Sequence, residues 1–168
     1  MIQRNFWRNV LPSVIAFAFS GVYSIVDGMF VGQGVGDAGL AAINVAWPVT
    51  ALVQALGTGL GMAAAVVLSV CIGRRDAAEE HRALGSTAVL LLLAGVLSTA
   101  LLALLYRPLL PLLGAEGSVL AYADSYTRVI VLGSLFQVLG TGLVPLLRTY
   151  DGADAAMCSM TAGFLTNV

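Results

Sequence analysis

Residues 83–106 run for 24 positions without a charged side chain. A helix of that length reaches about 36 Å at 1.5 Å per residue, enough to cross a hydrocarbon core of about 30 Å. In lipid every backbone amide and carbonyl must find its partner within the protein, and a helix does so locally. The rest of the chain repeats the pattern. Apolar runs predict helices at 10–31, within 40–72, at 83–106 and at 122–147, and a fifth begins near Ala155. Hydrophobic residues make up 59% of the chain and charged residues 10%, against roughly 25% charged in soluble domains. The chain therefore reads as all-α, a polytopic membrane helix bundle of about four full spanning helices plus the start of a fifth.

Charge and reactive residues exclude several functions. The eight basic residues are all arginine and nearly balance nine acidic ones. No basic block or aromatic and basic interleaving follows a phosphate backbone, so nucleic acid is not expected as a partner. Cys71 and Cys158 lie far apart in apolar sequence and read as free thiols. His81, the single histidine, has no neighbour at metal-ligand spacing. No paired acid and base, Ser-His or Cys-His arrangement or H-E-x-x-H motif is present, so neither an enzyme, a metal site nor a cofactor is expected. Arg4 and Arg8 precede the first apolar run as in a signal peptide. That run is too long, carries Asp27 and lacks an Ala-x-Ala cleavage site, so it reads as a retained spanning helix.

Asp27 is the residue to explain, because a carboxylate in hydrocarbon is costly and persists where it faces a cavity or a partner. At a helical period Ser13, Ser20, Tyr23, Ser24 and Asp27 gather on one face, with Tyr23 one turn from Asp27. Two readings are open: the stripe lines a cavity, or its small residues serve close packing and Asp27 marks a helix end at the interface. The carboxylate favours the cavity. Pro12 lies in or just beyond the first turn, where it starts the helix or leaves a point for bending.

Gly34, Gly36 and Gly39 form a G-x-G-x-x-G, but a spanning helix precedes it rather than a strand, so it reads as a tight turn with Asp37 capping the next helix. Pro48 interrupts the second helix, and Gly57 and Gly61, at G-x-x-x-G spacing, allow close approach of another helix. Asn44 and Gln54 either line a cavity or bond between helices. The charged stretch from Gly73 to Arg82 reads as a solvated loop. Arg107-Pro108 is expected to end the third helix, and Asp124 with Arg128, four apart, to form an interfacial ion pair. Leu139-Gly140-Thr141-Gly142-Leu143 echoes Leu56-Gly57-Thr58-Gly59-Leu60, too briefly to establish a repeat. Residues 155–168 span about 21 Å as helix, short of a crossing, so the sequence reads as the N-terminal part of a larger protein. Arg4, Arg8, Arg74, Arg75, Arg82 and Arg148 fall on one side of alternating helices, and Arg107 and Arg128 on the other. That bias puts the N-terminus in the cytoplasm and Asp27 toward the external half of the membrane.

The chain resembles the multidrug and toxic compound extrusion (MATE) transporters, prokaryotic branch. The resemblance rests on Leu11-Pro12, the run from Val22 to Gly32, Gly73-Arg74-Arg75-Asp76, Pro145-Leu146-Leu147-Arg148 before Asp151-Gly152, and Gly163-Phe164-Leu165-Thr166-Asn167. It implies a twelve-helix, two-lobe transporter of which residues 1–168 are an incomplete N-terminal six-helix lobe, with helices 1 to 4 and part of helix 5. It further implies an antiporter of the cytoplasmic (inner) membrane, exporting amphipathic or cationic drug-like molecules in exchange for protons or sodium by rocking. By resemblance Asp27 matches an aspartate of ion coupling and substrate release, Tyr23 and Asn167 match its hydrogen-bonding neighbours, and Pro12 matches a hinge. The expected partners are a small-molecule substrate and membrane lipid, with no obligatory protein partner. One alternative is a flippase for lipid-linked oligosaccharides, of related fold, but such a protein needs cations in its cavity and the arginines here sit mostly at helix ends. Another is a non-transporting membrane scaffold in which Asp27 serves only helix association.

Overall fold

The computed structural model of the chain describes residues 2–150, with side chains from Val10 onward except several in the first helix, Pro12 and Tyr23 among them. The described residues form four helices: α1 (Ile2–Gly34), α2 (Asp37–Arg74), α3 (Ala77–Leu112) and α4 (Gly117–Thr149). The fifth run, Cys158 and Asn167 lie outside the described residues. By length and apolarity α2, α3 and α4 can each cross a membrane. α1, with 33 residues, reaches about 50 Å.

The helices overrun their predicted ends, because charged residues and prolines that look like breaks are absorbed into helix. The charged stretch after Gly73 is no loop. α2 continues to Arg74, Arg75 turns the chain at φ 57°, and α3 starts at Ala77 behind Asp76, whose side chain accepts the Glu79 amide at 3.1 Å. Around the turn the Arg75 and Asp76 amides donate to the Ile72 and Cys71 carbonyls, which satisfies acceptors that a helix end leaves open. Arg107-Pro108 does not end α3 either. The helix carries Pro108 and Pro111 and stops at Leu112, because Tyr106 and Leu110, on either side of Pro108, are buried with Ala42, Ala115 and Ala123. Likewise Pro48 lies inside a continuous α2, held by buried Ala46, Val49 and Val53. Asp37 is not a cap. Gly36 occupies that position at φ 78°, and Asp37 begins the helix, where its charge complements the positive helix end.

Three helices make the core. α2 runs parallel to α4 and packs directly against it, and α3 runs antiparallel to both and packs against the pair. The buried residues of α2 from Val53 to Gly61 recur every fourth position, as do those of α4 from Ser134 to Leu146, so one row of each helix meets one row of the other. At the centre Gly57 faces Val138 and Thr141, and Gly61 faces the backbone of Gly142. A Cβ on Gly57 would stand 2.7 Å from the Val138 carbonyl oxygen, and one on Gly61 2.8 Å from the Gly142 Cα. Both distances are too short for any side chain. The two echoing Leu-Gly-Thr-Gly-Leu stretches thus meet in space, through Gly57 of the first and Gly142 of the second. Leu91 of α3 closes over Gly142, whose added Cβ would meet its Cδ2 at 2.5 Å.

A hydroxyl pair fastens α3 to α4, with Thr99 Oγ1 and Ser134 Oγ 2.7 Å apart. Each hydroxyl also bonds a carbonyl of its own helix, Gly95 and Val131 respectively. The packing thus leaves these polar atoms satisfied, as burial requires. Among the described residues α1 packs only against α2, near their shared turn, where Gly39 lies under Val35 and Val31, and Gly32 lies beside Leu40.

Candidate functional site

Asp27 lies two turns before the end of α1, and its side chain is exposed. Around it Val22, Ile25, Met29 and Phe30 are also exposed, Ile25 at 73%. At a helical period Val22, Ile25 and Met29 project from the side of α1 opposite Asp27, and Ser24 and Phe30 flank it, so the helix is uncovered on both sides at this level among the described residues. Tyr23 and Pro12 lie on the same helix, with side chains outside the description, and Asn167 lies outside it altogether. The structure thus places Asp27 and leaves its grouping with Tyr23 and Asn167 as an expectation.

A second polar feature lies between α2 and α4, where a groove of about 570 Å³ runs beside the glycine crossing. Gln54, Thr58, Met62, Ala65 and Ser69 line it from α2, and Thr141, Pro145 and Arg148 from α4. Gln54 therefore faces a cavity, one of the two roles open for it, whereas Asn44 is exposed elsewhere on α2. The α2 half of this lining was readable, because Gln54, Thr58, Met62, Ala65 and Ser69 follow one another at steps of three or four. Thr141, Pro145 and Arg148 of α4 likewise fall at steps of four and three, but nothing local says that the two rows will face each other. Asp27 does not line this groove.

Electrostatic contacts mark the two ends of the bundle. At one end Asp124 pairs with Arg107 of α3 at 3.5 Å rather than with Arg128 of its own helix, because the antiparallel packing brings the Arg107 guanidinium alongside. Arg107 also donates to the Tyr106 hydroxyl at 3.2 Å and lies 5.9 Å from that ring's centre. At the other end the Tyr150 hydroxyl donates to Glu80, tying the end of α4 to the start of α3. That bond, helped by reduced hydration and by the negative charge of Glu80, holds the Tyr150 phenol above its usual pKa. Arg82 pairs with Glu79 at 3.2 Å, with both side chains largely exposed. Among the described residues no cluster of His, Cys, Asp and Glu could hold a metal ion.

Residues 12–168 match the MatE family. The multidrug export protein MepA of Staphylococcus saprophyticus is 24% identical over 159 residues, which cover 94% of this chain and 35% of that protein. The FAD transporter of Shewanella oneidensis is 28% identical over 156 residues, covering 92% of this chain and 34% of the transporter. A solved structure described as the outward-facing conformation of a multidrug resistance MATE family transporter superposes with a TM-score of 0.89, at 28% identity, over 95% of this chain and 35% of that one. The chain thus spans about a third of the length of the relatives it matches. With membrane-length apolar helices, a shared fold and a family match over almost its whole length, this is a multi-pass membrane protein that belongs to the MatE family.

Proposed function

We propose that the chain works within a cation-coupled antiporter that exports amphipathic or cationic small molecules across the cytoplasmic membrane. The observation that carries this reading is the MatE match over residues 12–168, with a multidrug exporter among the relatives. In this reading residues 1–168 supply the first helices of the N-terminal lobe of a twelve-helix carrier that rocks about a central cavity. The N-terminus is cytoplasmic, because the arginines at the α2 to α3 turn and Arg148 gather at one end. Asp27, about 10 Å along the helix from the opposite end of α1, then opens toward the external half.

The chemistry asked of Asp27 is simple. One carboxylate takes up either the coupling ion, proton or sodium, or the cationic group of a substrate. Since each weakens binding of the other, ion entry drives substrate release by linkage. Tyr23 and Asn167 are assigned the hydrogen bonds that orient the carboxylate. Pro12 lacks the amide that would bond to the Arg8 carbonyl, which leaves α1 a point at which to bend between the two facing states. The sparse contact of α1 with the other described helices, made only with α2 near their shared turn, suits this role, because a helix that must move gains by not being locked into the core.

The test uses the full-length transporter in proteoliposomes under an imposed proton or sodium gradient. Asp27→Asn is expected to abolish the dependence of efflux on the imposed gradient, because the group at which ion and substrate are linked is gone. Efflux at the parent rate would remove Asp27 from the mechanism.

A further inference from the structure

Where α2 turns into α3, a cavity of about 370 Å³ opens on the side of the bundle. That volume is at the low end of the roughly 300–1,000 Å³ typical of small-molecule sites. Its floor is apolar, from Val66, Val67 and Val70, and its rim is charged, from Arg74 on α2 and Asp76 and Glu79 beside the turn. Val66, Val70 and Arg74 follow one another at one-turn intervals, so they form a single row that rises about 12 Å along the helix. The apolar sequence of α2 ends at Ile72. The boundary between hydrocarbon and head groups therefore falls inside this cavity, with valines on the hydrocarbon side and charges on the water side. The valines are open to their surroundings, at 67%, 53% and 48% exposure.

The rim charges decide what fits. Asp76 uses one oxygen for the Glu79 amide, and Glu79 uses one for Arg82. A carboxylate accepts about four hydrogen bonds in all, so each retains an oxygen for a ligand. A simple anion would suit Arg74 and be repelled by two carboxylates, and a simple cation would meet the reverse. A ligand carrying both charges a few bonds apart satisfies both. We propose that this cavity binds a phospholipid whose head group joins a phosphodiester to a primary ammonium. The phosphate sits on Arg74, the ammonium on Asp76 and Glu79, and the start of an acyl chain lies along Val66, Val67 and Val70. The ammonium must be primary, because its three N–H donors can reach carboxylates, whereas a quaternary ammonium donates none.

Cys71 lines the same cavity as a half-buried free thiol, so it reports occupancy. The experiment follows labelling of Cys71 by an uncharged maleimide, in the full chain carrying Cys158→Ser, in nanodiscs of phosphatidylethanolamine, phosphatidylcholine or phosphatidylglycerol. Labelling is expected to be about threefold or more slower in phosphatidylethanolamine than in either other lipid, as an occupied site protects in proportion to ligand over Kd. Asp76→Asn with Glu79→Gln leaves the helix start intact, since Asn caps as well as Asp. This pair should abolish the difference between lipids, and Arg74→Gln should restore fast labelling in phosphatidylethanolamine. Equal rates in all three lipids, the outcome if another protein segment fills the cavity, would overturn the proposal. So would the slowest labelling in phosphatidylglycerol, the mark of a plain basic site, or a phosphatidylethanolamine effect that survives the carboxylate pair.

Discussion

The crossing of α2 with α4 and the face of α1 around Asp27 are built from similar material and finished differently. At the crossing, glycines at 57, 61 and 142 let backbones touch, and Leu91 fills the remaining space. Around Asp27, on a helix equally rich in small and apolar residues, Val22, Ile25, Met29 and Phe30 stand exposed. The first region draws its stability from contacts already made within the chain. The second presents a surface that described residues leave uncovered, together with a charge that an apolar setting tolerates only for a purpose. The contrast separates a part packed within the described helices from one whose surface they leave open.

Neighbouring glycines give the largest test of that contrast. A Cβ at Gly61 collides with the Gly142 backbone, whereas one at Gly59 meets nothing within 4 Å. Gly61→Ala should therefore cost about 2–3 kcal/mol, as overpacking does, while Gly59→Ala should gain up to about 1 kcal/mol from helix propensity. Reversible unfolding in mixed micelles reads both, and equal effects would mean the crossing is not held this tightly. Smaller is Ser134→Ala, which removes the hydroxyl that bonds Thr99. Thr99 keeps its bond to the Gly95 carbonyl, so the expected loss is about 0.6 kcal/mol, the average for such pairs in membranes.

Smaller again is the contact at the α4 end. Because Tyr150 donates to Glu80, its folded pKa lies above its ordinary value of 10.0. The contribution of the contact is full below that ordinary value and is lost as pH rises through the raised one. Phenolate absorbance, taken as the difference from Tyr150→Phe, should show the raised titration, and Glu80→Gln should bring it down. Asp27→Asn closes the series. With an exposed side chain outside the core, it should change stability by less than about 0.5 kcal/mol while the gradient dependence of efflux is lost. A large loss of stability would instead give Asp27 a structural role.

Particular residues show how far sequence reading reached. Gly57 and Gly61 announced a close helix approach through their spacing, and the structure supplies the partner, Gly142, from a stretch whose likeness to the first was visible and whose proximity was not. Arg107-Pro108 and the charged stretch after Gly73 looked like helix ends. Tertiary burial of Tyr106 and Leu110 carried α3 past the first, and the Asp76 cap drew most of the second into helix. Asp124 had an arginine four residues away in sequence, but another helix supplied its partner. Asp27 was legible as a costly carboxylate on a striped helix, while the α2 to α4 groove was legible only as two separate rows, because a local period gives each row and not their pairing.

The sequence alone therefore determined that this chain is a set of membrane-length helices, how many apolar runs it has and which carboxylate must be explained. Those properties follow from backbone hydrogen bonds and hydrophobicity, which act over a few residues and a single span. Only the tertiary structure decided which glycines touch, which arginine Asp124 pairs with, and that Asp27 stays outside the core. In a bilayer all apolar faces are nearly equivalent to lipid, so the choice between them falls to shape fit and a few polar contacts between distant segments.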